Sequence, residues 1–284
     1  MKSHHELHQD QIAYWNGAAG GTWADDQERT DILLAPVQEA AIAHARVQTG
    51  ETVLDVGCGC GTTSIELAKL VGSKGQVIGL DVSAPMVERA RQRSVGIGNL
   101  HYVHADAAMH SFTHPVADLL FSRFGVMFFG DPRAAFANMR KALKPGARVV
   151  FACWRKLPEN PWMLVPLQAA YQHVPPLPKP GPEDPGPTSF GDPDRVTRIL
   201  TGAGFAPPRL TPVDVMLDIA TGRGLDEAVA QTLRIGPTSR ALQVQPPAMV
   251  AKVAQSVRAA LAPHAKGDSV PLAGAIWLVD CLYQ

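Results

Sequence analysis

Three aspartates and a glycine turn define the chemistry open to this chain. Asp55 opens the run Asp55-Val56-Gly57-Cys58-Gly59-Cys60-Gly61, which an apolar stretch precedes and a helical pattern follows. Asp81 closes Val77-Ile78-Gly79-Leu80-Asp81, and Asp106 follows a third β-rich run in His104-Ala105-Asp106-Ala107. Glycines let a backbone turn tightly and approach a ligand without side-chain clashes. An aspartate at the end of a strand can accept two hydrogen bonds from the vicinal hydroxyls of a ribose. Three acids at three successive strand ends suit a nucleoside that carries a cationic group, and suit a pyrophosphate poorly. The even spacing of Gly57, Gly59 and Gly61 also departs from the Gly-x-Gly-x-x-Gly of dinucleotide sites.

These residues need a scaffold that brings strand ends together. From residue 52 onward, short β-rich runs (52–56, 76–80, 100–104, 117–121, 148–154) alternate with helical ones (62–71, 84–95, 131–143). Such alternation predicts βαβ units with right-handed crossovers, and therefore a doubly wound, Rossmann-like α/β sheet. In an open sheet of this kind ligands bind beyond the carboxyl ends of the strands. Ahead of the core, residues 27–47 show helical periodicity that Pro36 is expected to bend or split. After it, residues 156–193 hold Pro175, Pro176, Pro178, Pro180, Pro182, Pro185 and Pro187 and read as a long lid or linker. Helical patterns return at 194–202, 225–235 and 248–261, and strand candidates at 209–219 and 270–283. The chain divides into an N-terminal helical cap segment (1–47), a binding core (48–155), a proline-rich lid (156–193), and a completion of the sheet (194–284) with a helical insertion at about 220–269.

Composition narrows the partners. Lysine plus arginine number 26, as do aspartate plus glutamate, so the formal net charge is zero and no nucleic-acid partner is expected. No apolar leader and no membrane-length apolar run is present, and a cytoplasmic location is expected. Four cysteines are too few and scattered for a disulfide framework. Cys58 and Cys60 lie inside the glycine turn with no second ligand pair nearby, so no metal site is expected. His4, His5 and His8 are expected on a disordered terminus.

The stretch from about Thr52 to Trp154 resembles the class I S-adenosylmethionine-dependent methyltransferases, because the acid-glycine turn and the two later acids occur in the family's order and spacing. It looks most similar to the small-molecule branch that includes the ubiquinone/menaquinone C-methyltransferases. The resemblance implies a seven-stranded mixed sheet of order 3-2-1-4-5-7-6 with the last strand antiparallel. It implies S-adenosyl-L-methionine as cofactor, with S-adenosyl-L-homocysteine as product. Asp55 and the turn Gly57, Cys58, Gly59 and Gly61 would hold the methionine part, with Ser122 also against the cofactor. Asp81 would bind the ribose hydroxyls, Asp106 the adenine amino group with the Ala107 backbone nearby, and Val82 and Met86 the adenine faces.

The segment leaving the fourth strand, Ser122-Arg123-Phe124-Gly125-Val126-Met127-Phe128-Phe129, would lie beside the reactive methyl. It lacks the Asn/Asp-Pro-Pro-Tyr/Phe of enzymes that methylate the amino groups of nucleic-acid bases or protein glutamine. Arg123 would pair with a carboxylate or phosphate of the acceptor, or be held by a local acid such as Asp131. Phe124, Met127, Phe128 and Phe129 would wall an apolar acceptor pocket or belong to the core. Trp154 and Arg155 are expected to face the same crevice by topology, and Tyr14, with Trp15 and Trp23, would fold over the cofactor or anchor a helix to the sheet. Methyl transfer requires mainly alignment and exclusion of water, so no catalytic triad is expected, and no histidine stands out as a base. The leading expectation is methyl transfer to a small, partly apolar acceptor. The alternatives are a catalytically silent S-adenosylmethionine-binding sensor or partner subunit, and a nicotinamide-dependent oxidoreductase, which the glycine spacing opposes.

Overall fold

The computed structural model describes residues 2–283. Seven strands form one sheet in the order β3-β2-β1-β4-β5-β7-β6. Strands β1 (Thr52–Val56), β2 (Gln76–Asp81), β3 (Leu100–His104), β4 (Ala117–Arg123) and β5 (Leu143–Trp154) run parallel. The last strand, β7 (Pro271–Leu282), pairs antiparallel with both β5 and β6 (Arg209–Asp218). Strands buried on both faces need unbroken apolar runs, and β1 and β4 supply them: Val53, Leu54, Leu119, Leu120 and Phe121 are fully buried. The edge strand β6 alternates half-buried and exposed positions along most of its length and carries Pro212, which an edge tolerates.

Strand order reverses between β1 and β4, whose neighbouring registers place Val53 opposite Leu119 and Asp55 opposite Phe121. The loops leaving these two strands therefore diverge over the carboxyl edge and open the crevice in which a ligand sits. Helices α4 (Thr62–Val71), α5 (Ala84–Arg93), α6 (Pro132–Met139) and α8 (Pro193–Gly202) are the crossovers.

Three regions differ from the pattern read in the sequence. His4, His5 and His8, expected on a disordered terminus, stand in helix α1 (His4–Asn16), which starts at a capping box between Ser3 and Glu6, and α2 (Ala18–Asp25) follows. Helix α3 (Gln27–Ala45) passes through Pro36 unbroken. The bond that Pro36 removes faces Ile32 at the exposed surface, while Leu33, Leu34, Val37 and Ala41 are buried on the opposite side, so packing outweighs the loss. The proline-rich connection contains helix α7 (Pro161–Ala170), and the insertion near its expected place comprises α9 (Gly224–Arg234), α10 (Gly236–Leu242) and α11 (Pro247–Leu261), which pack on one another and on α7. Among the described residues, no helix is long and apolar enough to cross a membrane.

Candidate functional site

The glycine turn adopts the conformation its residues permit. Gly57, Gly59 and Gly61 have φ of +69°, +54° and +84°, values that side chains resist. Gly57 has a second reason: a Cβ there would lie 2.5 Å from Gly125 Cα, so the loops leaving β1 and β4 touch backbone to backbone. A Cβ on Gly59 would meet nothing closer than Met86 Sδ at 3.9 Å, and so would project into open space. Beyond Gly61, α4 begins without a side-chain cap.

The three acids stand at three depths. Asp55 is fully buried behind the turn, where its Oδ2 accepts from Thr63 Oγ1 (2.7 Å) and Ser64 Oγ (2.6 Å) and its Oδ1 has no partner. Burial drives its carboxyl up to about 6, against the two hydroxyl bonds that pull it down. Asp81 reaches the cavity wall. Its Oδ2 accepts from Gly59 N (2.8 Å) and its Oδ1 from Ser83 N (2.8 Å), so it locks the turn and keeps lone pairs for a ligand. Burial raises its carboxyl too, with the backbone bonds opposing. Asp106 is half-buried. Burial would raise it, but His8 Nε2 at 2.7 Å from Oδ2 and the Ala108 N–H on Oδ1 hold it below its usual range.

Asp81 and Asp106, with most of the turn, line one cavity of about 1270 Å³. Single small-molecule pockets run to roughly 300–1,000 Å³, so this one has room for two ligands side by side. One end is formed by Gly57, Cys58, Gly59, Asp81 and Asp106, with Val82, Met86 and Ala107 beside them. The other end is aromatic. Phe124, held at φ +70°, stacks on Trp154 with ring centroids 4.2 Å apart and planes 14° from parallel. Trp162 adjoins Trp154 at 5.1 Å, and Phe128 meets the edge of Trp15 at 5.0 Å. Met127 and Tyr14 also line the wall, with the Arg240 guanidinium over the Tyr14 ring.

Helices α1 to α3 and α10 roof the cavity. Asn16 at the end of α1 donates to the Val82 carbonyl (2.8 Å) and accepts from Ala84 N (3.0 Å), gripping the turn after β2. Asp26 at the start of α3, 4% exposed, receives Arg234 Nε of α9 at 2.7 Å, which ties the cap to the insertion.

Most residues singled out in the sequence thus meet in one place. Four do not line the cavity. Arg155 turns instead to Glu159 and Asp214 (2.9 Å), with its guanidinium over the Trp277 ring. Asp55 and Gly61 stand behind the turn, and Ser122, fully buried, donates its hydroxyl to the Val56 carbonyl (2.7 Å) and fastens β4 to β1. Asp131 is not a partner of Arg123; it caps α6 through Ala134 N. His8 was missed as a site residue, although the Ser3-x-x-Glu6 signature marks its helix. Arg240 and Trp162 were missed because nothing local marks them; tertiary folding alone brings them in.

The residues present fit the cofactor that the turn implies. The open space over Gly59 is a cradle a methyl group would enter, Asp81 offers free carboxylate lone pairs, and Arg123 Nη1 is buried at the wall without a partner. Burial and nearby acids push the Cys60 thiol up to about 12, and Cys58 rises for the same reasons, so neither offers a thiolate to a metal. Among the described residues, no group of three or more His, Cys, Asp or Glu is placed to hold a metal ion.

Comparisons with known proteins agree with this geometry. A methyltransferase domain model matches residues 53–146. The chain is 40% identical over 104 residues to a demethylmenaquinone methyltransferase of Staphylococcus epidermidis, covering 37% of this chain and 43% of that protein, so it spans less than half the length of that relative. It is 33% identical over 152 residues to the aklanonic acid methyltransferase DauC of a Streptomyces species, covering 50% of this chain and 69% of that one. The YcgJ protein of Bacillus subtilis shares the fold, with a TM-score of 0.56 at 14% identity over 87% of this chain and 97% of that one. With the strand order, the acid-glycine turn and a relative matched over two thirds of its length, the chain belongs to the class I S-adenosylmethionine-dependent methyltransferase family.

Proposed function

We propose that the protein transfers a methyl group from S-adenosylmethionine to a small, partly apolar acceptor. The observation that carries this reading is the single cavity with two unlike ends, one lined by glycines and acids and the other by stacked aromatic rings. The names of the curated relatives, all methyltransferases, support it.

When bound, the cofactor supplies a sulfonium-activated methyl group. The chain's own residues position and enclose. Asp81 would accept from the ribose hydroxyls while holding Gly59 and Ser83, so ligand and turn would share one anchor. Asp106 and Ala107 would meet the adenine amino edge, and Val82 and Met86, which line the same end, would pack on its faces. Phe124, Trp154 and Phe128 form a flat apolar wall at the other end, suited to an acceptor with an aromatic or extended apolar body. The roof of α1, α2 and α10 excludes water, and desolvation with alignment is the main requirement of an in-line displacement.

The test is transfer of labelled methyl from S-adenosylmethionine into a panel of apolar phenols, quinols, carboxylic acids and amines. Transfer to any member supports the reading. Tight cofactor binding with no transfer across the whole panel contradicts it, and assigns the chain to cofactor sensing or a partner role instead.

A further inference from the structure

Arg123 ends β4, and its Nη1 is a buried donor at the cavity wall that no protein atom engages. An arginine donor left unbonded in a protein interior is costly, and beside a cavity such a group can be satisfied by ordered water or by a ligand that brings an acceptor. Its surroundings show which ligand atoms come near. The titratable groups facing it are Asp31 of α3, Asp55 of β1, Cys60 of the glycine turn and Arg93 of α5. All belong to the turn end of the cavity, and none to the aromatic end.

The acids there are engaged elsewhere. Asp31 Oδ1 accepts from Thr62 Oγ1 (2.5 Å), and its Oδ2 accepts from Arg93 Nη2 (2.8 Å) and from Gln27. Asp55 Oδ2 takes the hydroxyls of Thr63 and Ser64, and neither acid bonds Arg123. Arg93 also bonds the Cys60 carbonyl (2.6 Å), so its own donors are turned to the protein. Arg123 is thus held near the turn by attraction, and lines the cavity with its buried Nη1 unbonded. The start of α4 lies at the same turn without a side-chain cap, and adds the positive end of a helix to the same locus.

We propose that Arg123 binds the α-carboxylate at the amino-acid end of the cofactor, rather than an anionic group of the acceptor. This rests on S-adenosylmethionine being the cofactor, as argued above. Arg123 then makes the site selective for a nucleoside that carries an amino-acid carboxylate.

The experiment is calorimetric titration with three probes: S-adenosylhomocysteine, its decarboxylated analogue, and 5′-methylthioadenosine, which lacks the whole amino-acid end. The wild-type chain should prefer S-adenosylhomocysteine to its decarboxylated analogue by about thirty-fold or more, the range of a charge-assisted hydrogen-bonded pair. Arg123→Met should lower S-adenosylhomocysteine affinity by a similar factor, leave 5′-methylthioadenosine affinity unchanged, and abolish the preference; Arg123→Lys should restore part of it. Equal wild-type affinity for the two homocysteine probes overturns the assignment and needs no variant to fold. So does Arg123→Met binding S-adenosylhomocysteine like wild type. No wild-type binding of S-adenosylhomocysteine at all removes the cofactor reading itself, and this assignment with it.

Discussion

Replacing Asp55 by asparagine should flatten the pH dependence of stability without disturbing the shape of the turn. Asp55 is fully buried, and its carboxyl rises from 3.8 to about 6 because burial penalises the charge more than Ser64 and Thr63 relieve it. A rise of that size corresponds to about 3 kcal/mol. The sign follows from proton counting. Between about pH 4 and 6 the folded chain keeps a proton that the unfolded chain releases, so stability falls as pH rises through this window. Above about pH 6 the full penalty is present, and below about pH 4 it is absent. Linkage between pH 4.5 and 7.5 gives a loss of about 2 kcal/mol from this one group. Asparagine cannot ionise, and its carbonyl can accept the same two hydroxyls. Its amide nitrogen takes the place of the unpartnered Oδ1, a cost that does not change with pH. Urea unfolding followed by tryptophan fluorescence, for both chains across this range, isolates Asp55 because other titrating groups cancel in the difference. The stability difference between Asp55→Asn and wild type should shift in the variant's favour by about 2 kcal/mol on going from pH 4.5 to 7.5. Parallel curves would refute the buried, raised carboxyl and the reasoning built on it.

Other substitutions separate fold from site. Gly57→Ala should destabilise the fold by several kcal/mol, since its Cβ collides with Gly125 and its φ is unfavourable, whereas Gly59→Ala should cost only about 1–2 kcal/mol in melting experiments yet sharply weaken S-adenosylhomocysteine binding, because its Cβ enters the cradle. Asp81→Ala should weaken cofactor binding by roughly 1.5–3 kcal/mol through lost charge-assisted bonds, and a folded variant with unchanged affinity takes Asp81 out of the site. His8→Ala should remove the 2.7 Å contact to Asp106, cost about 1 kcal/mol, and speed hydrogen exchange in α1 before the sheet; unchanged exchange there separates α1 from the adenine-side acid.

The part of the site that was legible in the sequence is the part built from contiguous motifs. Residues 52–106 carry each acid at the end of its own strand, and the parallel sheet necessarily lines those ends up, so Asp81 and Asp106 could be placed from the pattern alone. The order of the last strands came from the family resemblance, not from periodicity. Local rules fell short where tertiary packing decides. Pro36 argued for a break that the buried face of α3 overrides. The prolines of 156–193 concealed α7, where Pro161 sits at a helix start that accepts proline and Pro166 is buried within the helix. Ser122 looked exposed to the ligand by its motif position, but alternation along β4 turns its hydroxyl to the Val56 carbonyl and leaves Arg123 to face the cavity. The aromatic wall joins residues from β5, α1, α7 and the loop after β4, a combination no spacing rule announces.

Calorimetric titration of the wild-type chain with S-adenosylmethionine and S-adenosylhomocysteine, with NADH as control, tests the central claim most directly. The acid-lined glycine turn predicts micromolar binding of both sulfur nucleosides and none of NADH. Binding of NADH with silence from both sulfur nucleosides would contradict it.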